Sequence, residues 1–186
     1  MSTKNPTRIV TGEVRLSYAH VFEPNSIQGG KPKYSVSLIS PKTDTATITA
    51  IEKAIDAAID AGIAKFGGKR PNKAALKLPL RDGDEDRPDD ETYEGCYFLN
   101  ANATADHPPK IVDRAVEPIL DRSEVYSGCY ANVSVDFYAF NTRGNLGIAC
   151  GLGNIQKVRD GERLTGERSA EDDFEALDDD EDDFLS

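Results

Sequence analysis

Apolar and polar residues alternate in two stretches near the start of the chain, and a period of two predicts β-strands. Residues 9–22 alternate in part, and Pro24 ends the stretch. Residues 34–38 alternate again before Pro41. We expect the first stretch to be one half-buried strand and the second stretch to be the next strand.

Further strands are predicted at residues 96–99, 111–112, 128–141 and 146–158. The third of these has the clearest alternation, and residues 141–145 form a hairpin loop to the fourth. Its apolar face should pack in a core, whereas the opposite face carries polar residues and exposed rings. The residues predicted to be buried are Cys129, Ala131, Val133, Val135, Phe137 and Ala139.

Between the early and late strands the apolar period changes from two to three and four, which predicts one long helix. The helical stripe consists of Ile48, Ile51, Ile55, Ile59 and Ile63. Asp44 or Thr45 can cap its first turn, and Gly67 with Gly68 should end it. The stripe is expected to pack against the sheet.

The order of strands, helix and strands predicts an α+β fold that is mainly antiparallel. An OB-fold-like small barrel accommodates the strand count and removes the exposed sheet edges, although periodicity alone does not distinguish it from a sandwich. We expect residues 1–168 to form this domain, with an acidic excursion at residues 82–94. Residues 169–186 are expected to be a disordered acidic tail, because they contain too few apolar residues to offset the cost of ordering them.

Charge is distributed unevenly over the 186 residues, whose net charge is -11. The tail contains ten acidic residues and no basic one, and residues 82–94 contain eight acidic residues and only Arg87. Without these two segments, 21 basic and 15 acidic residues remain, a net charge of +6. A mildly basic body can therefore bind a polyanion that the tail would repel or displace.

Neither a secretory signal nor a run of about 20 apolar residues is present, so we expect a cytoplasmic protein without a membrane segment. Cys96, Cys129 and Cys150 are isolated and should be buried, reduced thiols. The chain contains only His20 and His107, and it lacks paired cysteines and a phosphate-binding loop. These absences favour a protein that is not an enzyme and has no cofactor or metal.

Three alternating carboxylates at the start of the acidic excursion imitate the opening of a calcium loop. Arg87 occupies the position that requires glycine, however, and Tyr93 occupies the position of the final glutamate. Calcium binding is therefore not expected. A metal-dependent nuclease would need carboxylates that converge from separate strands, and this alternative stays open.

Aromatic residues interleaved with small polar ones, together with scattered lysines and arginines, are typical of proteins that bind single-stranded nucleic acid. Such proteins contact phosphates with cations and stack aromatic rings on unpaired bases. The candidate DNA-binding residues are Lys31, Lys33, Arg70, Lys73, Tyr97, Tyr130, Tyr138 and Arg143.

Six segments of the chain resemble a family of phage and prophage replication-region proteins. They are Tyr18-Ala-His-Val-Phe-Glu-Pro, Lys33-Tyr-Ser-Val-Ser-Leu-Ile, Pro79-Leu-Arg-Asp-Gly-Asp, Tyr126-Ser-Gly-Cys-Tyr, Phe137-Tyr-Ala-Phe-Asn and Gly151-Leu-Gly-Asn-Ile-Gln-Lys-Val. This family is similar to the OB-fold single-stranded DNA-binding proteins of short-tailed phages.

The resemblance implies a protein that coats single-stranded DNA in replication or recombination, often as a homodimer. It also implies that the acidic tail recruits replication or recombination proteins, and Phe174, Asp182, Asp183 and Phe184 are the candidate contacts. In the similar proteins the tail ends in an aromatic residue, whereas here Leu185 and Ser186 follow the last ring. A different interpretation of the acidic segments is an adaptor or inhibitor that mimics DNA and occupies a host protein's basic groove.

Overall fold

The computed structural model describes residues 6–26 and 30–164. It consists mainly of antiparallel β-sheet with few helices, as predicted. The strands are β1 (Arg8–Val10), β2 (Val14–Asn25), β3 (Lys33–Pro41), β4 (Leu80–Asp82), β5 (Cys96–Thr104), β6 (Ile111–Val112), β7 (Tyr130–Thr142) and β8 (Asn145–Arg159). The α-helices are α1 (Thr45–Ala61) and α2 (Gly83–Asp86), and short 3-10 turns cover Ile63–Phe66, Lys73–Ala75, Glu91–Tyr93 and Arg122–Glu124.

Five strands close into a ring in the order β2, β3, β5, β8, β7 and back to β2. Four junctions are antiparallel, whereas β5 and β8 run parallel and pair only at Asn102 and Gly151. The first predicted strand is in fact two strands, because the chain bends at residues 11–13. At the bend Gly12 N–H donates to Thr47 Oγ1 of the helix.

The interior of the ring confirms the alternation predicted for β7. All six residues of its predicted core face are buried, together with Val36 and Leu38 of β3 and Leu99 and Ala101 of β5. The turn between β7 and β8 consists of Arg143 and Gly144, which both have positive φ (53° and 86°). Two such residues give a hairpin turn whose twist matches that of the strands.

Helix α1 packs its isoleucine stripe against β7 and begins at the predicted cap, where the Asp44 carboxylate accepts the Thr47 N–H. The predicted end at Gly67 is wrong, since α1 ends at Ala61. Gly62 passes so close to β7 that a Cβ there would overlap the Ala139 side chain. Ile63 consequently belongs to the following 3-10 turn and is half-buried.

The acidic excursion packs against the sheet through a buried aromatic residue. Tyr93 has no exposed surface, lies edge-on to the Phe98 ring at 4.9 Å and packs against Ile39. Its hydroxyl is 3.1 Å from the buried Ser37 Oγ. Residues 82–95, which we call the strap, are therefore folded onto the outer face of β3 and β5.

Ion pairs and hydrogen bonds fasten the strap next to the end of β3. Lys42 Nζ lies 2.8 Å from Asp82 and 2.9 Å from Asp84, and Asp84 also accepts the Gly95 N–H. The hydrogen bonds from Lys42 hold the pKa of both carboxyl groups below their ordinary value. Because the Lys42 N–H donates to the Gly95 carbonyl at 3.0 Å, both ends of the strap are tied to this lysine.

The cysteines only partly match the expectation. Cys129 and Cys150 are buried, and burial raises the pKa of both thiols, whereas Cys96 is half-buried beside the strap. Among residues 6–26 and 30–164, no three His, Cys, Asp or Glu side chains gather as metal ligands would. No helix in the described part of the chain is long and apolar enough to cross a membrane.

Candidate nucleic-acid interface

Two cavities on the outer face of the ring, which we together call the groove, adjoin on β5; one is lined by residues of β4, β5 and β8, and the other by residues of β2, β3 and β5. The larger cavity has a volume of about 540 Å³ and is lined by residues that include Arg81, Arg87 and Phe98. The smaller cavity, of about 230 Å³, is lined by Asn25, Gly30, Lys31, Lys33, Ser35 and Asn102. Asn102 lines both cavities, so the two cavities are neighbours.

Strand alternation decides which side chains line the groove. Because apolar residues of β3 and β5 fill the ring, their small polar neighbours point outward. The register pairs Ser37 with Asn100, Ser35 with Asn102, and Lys33 with Thr104. Of these residues, Lys33, Ser35, Asn100 and Asn102 line the cavities, whereas Ser37 is buried beneath Tyr93.

Tyr18 does not line either cavity, but it lies beside Arg87 in an unusual backbone conformation. The pairing of β2 with β3 shifts register between Ser17 and His20, and Tyr18 in this bulge has φ of 48°. Its side chain is 55% exposed. Positive φ is costly for a residue with a Cβ, and such strain often marks a functional site.

Arg87 carries the guanidinium of the strap into the groove. It lies over the rings of Tyr18, Tyr93 and Phe98, at 5.5, 5.1 and 5.5 Å from their centroids. These cation–π contacts hold the half-buried side chain in one place. Nearby, Arg81 pairs with Asp86 at 2.6 Å.

Lys31 and Lys33 are the two sequence-predicted residues that the structure brings together in the groove. Both are exposed, and within the described ranges 6–26 and 30–164 neither forms an ion pair. They consequently offer ammonium groups that a phosphate can approach without displacing a carboxylate.

Arg70 and Lys73 lie elsewhere and already have partners. Arg70 is 2.8 Å from Asp60, and Lys73 pairs with Asp56, both on helix α1. Sequence alone did not show that Asp56 and Asp60, four residues apart on α1, face Arg70 and Lys73.

Two of the predicted tyrosines are covered by cations. Arg159 lies 3.8 Å from the centroid of the Tyr130 ring, and Arg15 lies 5.5 Å from it. Lys42 lies 5.2 Å from the centroid of Tyr97. Both rings are half-buried and lie outside the two cavities of the groove.

Tyr138 and Arg143 belong to the β7–β8 hairpin. Tyr138 is 50% exposed and lines a separate shallow cavity with Lys65 and Phe140. Arg143 is exposed at the hairpin turn. Phe174, Asp182, Asp183 and Phe184 lie outside the described residues.

Sequence reasoning did not select as candidates five residues that line the larger cavity and a sixth beside it, Arg81, Arg87, Phe98, Asn100, Asn102 and Tyr18. One signal was available, because Arg87 is the only basic residue among the acids of residues 82–94. The others depend on which strands become neighbours.

A family model described as "Enterobacter phage Enc34, ssDNA-binding protein" matches residues 7–185. The chain belongs to this family. It is also 31% identical over 168 residues to "Putative protein p50" of Acyrthosiphon pisum secondary endosymbiont phage 1, with 86% of this chain and 87% of that protein covered. The match thus extends over nearly the whole chain.

Solved structures agree with the membership in the Enc34 family. The single-stranded DNA-binding protein from bacteriophage Enc34 in complex with ssDNA is 27% identical, with a TM-score of 0.71, and the match covers 89% of this chain and 96% of that one. gp2.5, a single-stranded DNA-binding protein encoded by bacteriophage T7, has a TM-score of 0.60 over 90% of this chain and 94% of its own. At 15% identity, the second match shows a shared fold alone.

Proposed function

We propose that the chain is a non-sequence-specific single-stranded DNA-binding protein of phage replication or recombination, without enzymatic activity. The observation that carries this proposal is the groove on the outer face of β3 and β5. It combines Lys31 and Lys33 in one cavity with the planar Arg87 guanidinium in the other, and the exposed Tyr18 ring lies beside Arg87. Membership in the Enc34 family and the 27% identity to a protein solved with ssDNA support it.

The ring of strands further supports an OB-fold. If β2, β3, β5, β7 and β8 are its five strands, the groove lies on the second and third strands. That face, with the loops after the first and fourth strands, is where OB-folds bind oligonucleotides. Lys31 then belongs to the first of these loops and Arg143 to the second.

The groove chemistry suits a single strand better than a duplex. A single strand exposes base faces, and each base stacked on an aromatic ring contributes about 1 to 3 kcal/mol. Its phosphates add contacts to cations, which weaken as salt rises. Tyr18, Arg87, Lys31 and Lys33 are the residues that we assign to these two tasks.

For the acidic tail, residues 169–186, we propose that it competes with DNA for the groove and recruits replication or recombination proteins. Its ten acids and no basic residue support competition, and the rings of Phe174 and Phe184 can enter an apolar pocket of a partner. Replacing Phe184 with Ala should weaken partner capture while DNA affinity changes little. A large loss of DNA affinity would contradict this division.

Binding of labelled oligothymidine, measured by fluorescence anisotropy across a salt series, tests the main proposal. We expect binding to single strands to exceed binding to the matched duplex, and to weaken steeply with salt. Deleting residues 169–186 should tighten binding. No binding by either form would refute the proposal and favour the adaptor interpretation. Light scattering of the free protein separately tests whether it forms the homodimer that the family resemblance implies.

A further inference from the structure

A short hairpin that begins with β6 presents two apolar side chains to solvent. In residues 111–121, which we call the finger, the Ile119 N–H donates to the Ile111 carbonyl at 3.0 Å, and both isoleucines are buried. Leu120, which follows this anchor, is 89% exposed, and Val116 at the turn is 66% exposed. The finger is therefore fastened to the barrel while its apolar tip is left uncovered.

The turn of the finger holds Val116 in a backbone conformation that valine rarely adopts. Its φ is 64°, and the Asp113 carboxylate fixes the turn by accepting the N–H groups of Ala115 and Glu117. Asparagine would adopt positive φ at lower cost, whereas a β-branched residue is an outlier there. Folding alone does not explain this valine, and strain of this kind often marks a functional site.

The charge of the finger favours a protein over DNA as its partner. Residues 111–124 contain four acidic and two basic residues. One of the two basic residues, Arg122, pairs with Glu23. The negative charge that remains would repel phosphates, and it suits an apolar surface bordered by cations.

The shallow cavity of the β7–β8 hairpin has these complementary properties. It has a volume of about 640 Å³ and is lined by the rings of Tyr138 and Phe140 together with Lys65. Residues 61–69 and 137–150, which include the lining, contain three basic residues and no acidic one. Val116, Leu120 and Tyr138 are three of the five large apolar side chains that are at least half exposed in the described part of the chain.

The finger and the cavity lie far apart along the β7–β8 ribbon. The finger pairs with β8 at Gln156, which lies opposite Asn132 of β7. Phe140 is eight residues further along β7, or about 25 Å at the usual rise of a strand. The anchored finger therefore cannot reach the cavity of its own chain, but it can reach the cavity of a second copy.

We propose that the finger of one copy docks in the β7–β8 cavity of a neighbouring copy, with Val116 and Leu120 packed on the rings of that cavity. Two different surfaces meet, so the contact is head-to-tail and repeats from copy to copy, unlike a symmetric homodimer. Self-association of this kind goes beyond the proposed DNA binding and does not require it. Where several copies lie on one strand, the contact makes their binding cooperative.

Disulfide trapping in the full-length protein tests which surfaces meet. Leu120→Cys and Tyr138→Cys are made in separate chains, and under mild oxidation their mixture should form a linked dimer that neither variant forms alone. Mass spectrometry should identify the bond between the two introduced cysteines. Val10→Cys replaces Tyr138→Cys in the matched control, because Val10 is 69% exposed but lies on β1, outside both surfaces.

Sedimentation equilibrium of the free protein tests the contact by a second route. The average mass of the wild-type protein should rise with concentration without stopping at a dimer. Arg143→Glu should lower the association constant by about tenfold or more, because it places like charges together, and Glu117→Lys in the same chain should restore much of the loss. Val116→Asn should also weaken association, yet unfold at the wild-type temperature or above it, since it relieves the positive φ.

The outcomes separate this contact from the proposed function. A linked dimer formed equally well by Leu120→Cys alone would show that finger meets finger and would overturn the head-to-tail contact. Failure of the mixture to crosslink, or a wild-type mass that does not change with concentration, would overturn it as well. Failure of the protein to bind oligothymidine would instead overturn the proposed function and leave the contact between copies intact.

Discussion

The hydroxyl of Tyr93 provides a sharp test of whether the strap is part of the folded barrel. Replacing Tyr93 with Phe removes the 3.1 Å hydrogen bond to Ser37 Oγ and keeps the ring. Such a bond contributes about 0.5 to 1.5 kcal/mol, and the Ser37 hydroxyl, only 2% exposed, would be left without this partner. We expect a loss of about 1 to 2 kcal/mol in the free energy of unfolding, measured by urea denaturation.

A double-mutant cycle separates this bond from other effects of the change. Ser37→Ala and the double variant should reveal a coupling of about 1 kcal/mol, because the two groups contact each other directly. Replacing Tyr93 with Ala removes a fully buried ring and should cost about 3 to 5 kcal/mol.

Limited proteolysis with a glutamate-specific protease reports on the strap itself. Glu85, Glu91 and Glu94 should be cut faster in the Tyr93→Ala variant, with the fragments identified by mass spectrometry. If that variant lost less than about 1 kcal/mol and its strap were cut at the wild-type rate, the strap would not be packed as described.

Close approaches and charged groups elsewhere in the molecule lead to three more predictions. Gly128→Ala should lower the thermal unfolding midpoint more than Gly67→Ala. Both glycines have positive φ, but of the two only Gly128 would place a Cβ in overlap with a backbone atom, the Glu162 carbonyl oxygen. Equal effects would contradict that close approach. Lys42→Met should destabilise the protein at pH 7 and have a progressively smaller effect as the pH falls below about 4. The lowered pKa values of Asp82 and Asp84 stabilise the fold above that pH, and this contribution is lost as the pH falls through them. A pH-independent difference in urea denaturation would argue against the ion pairs. The double variant Lys31→Gln, Lys33→Gln should reduce the slope of log affinity against log salt concentration by about 1.4, which is about 0.7 for each phosphate no longer neutralised. An unchanged slope would show that these lysines do not contact DNA.

The sequence predicted the parts of the fold that depend on local periodicity. The β7 core face and the Asp44 cap follow from spacing and residue type alone. The end of α1 was missed because it depends on the approach of Gly62 to Ala139, which lies 77 residues away in the chain.

The site was less predictable, because it depends on which distant residues meet. Tyr93 lies among acids, and only its contacts with Ile39, Ser37 and Phe98 show that it is buried. The sequence likewise suggested that Arg70 is free to bind DNA, although it forms an ion pair with Asp60 of α1. Lys31 and Lys33 line one cavity because they are near neighbours in the chain, at and just before the start of β3, and their role in DNA binding stays a prediction.

Photocrosslinking of oligothymidine that contains 5-iododeoxyuridine tests most directly whether single-stranded DNA lies in the groove. Mass spectrometry of the crosslinked full-length protein should identify residues that line the groove, together with Tyr18, which lies beside Arg87. Tyr130 and Tyr138, which lie outside it, should remain unmodified. Crosslinks concentrated at Tyr130 or Tyr138, with none at Tyr18, would contradict the proposed interface.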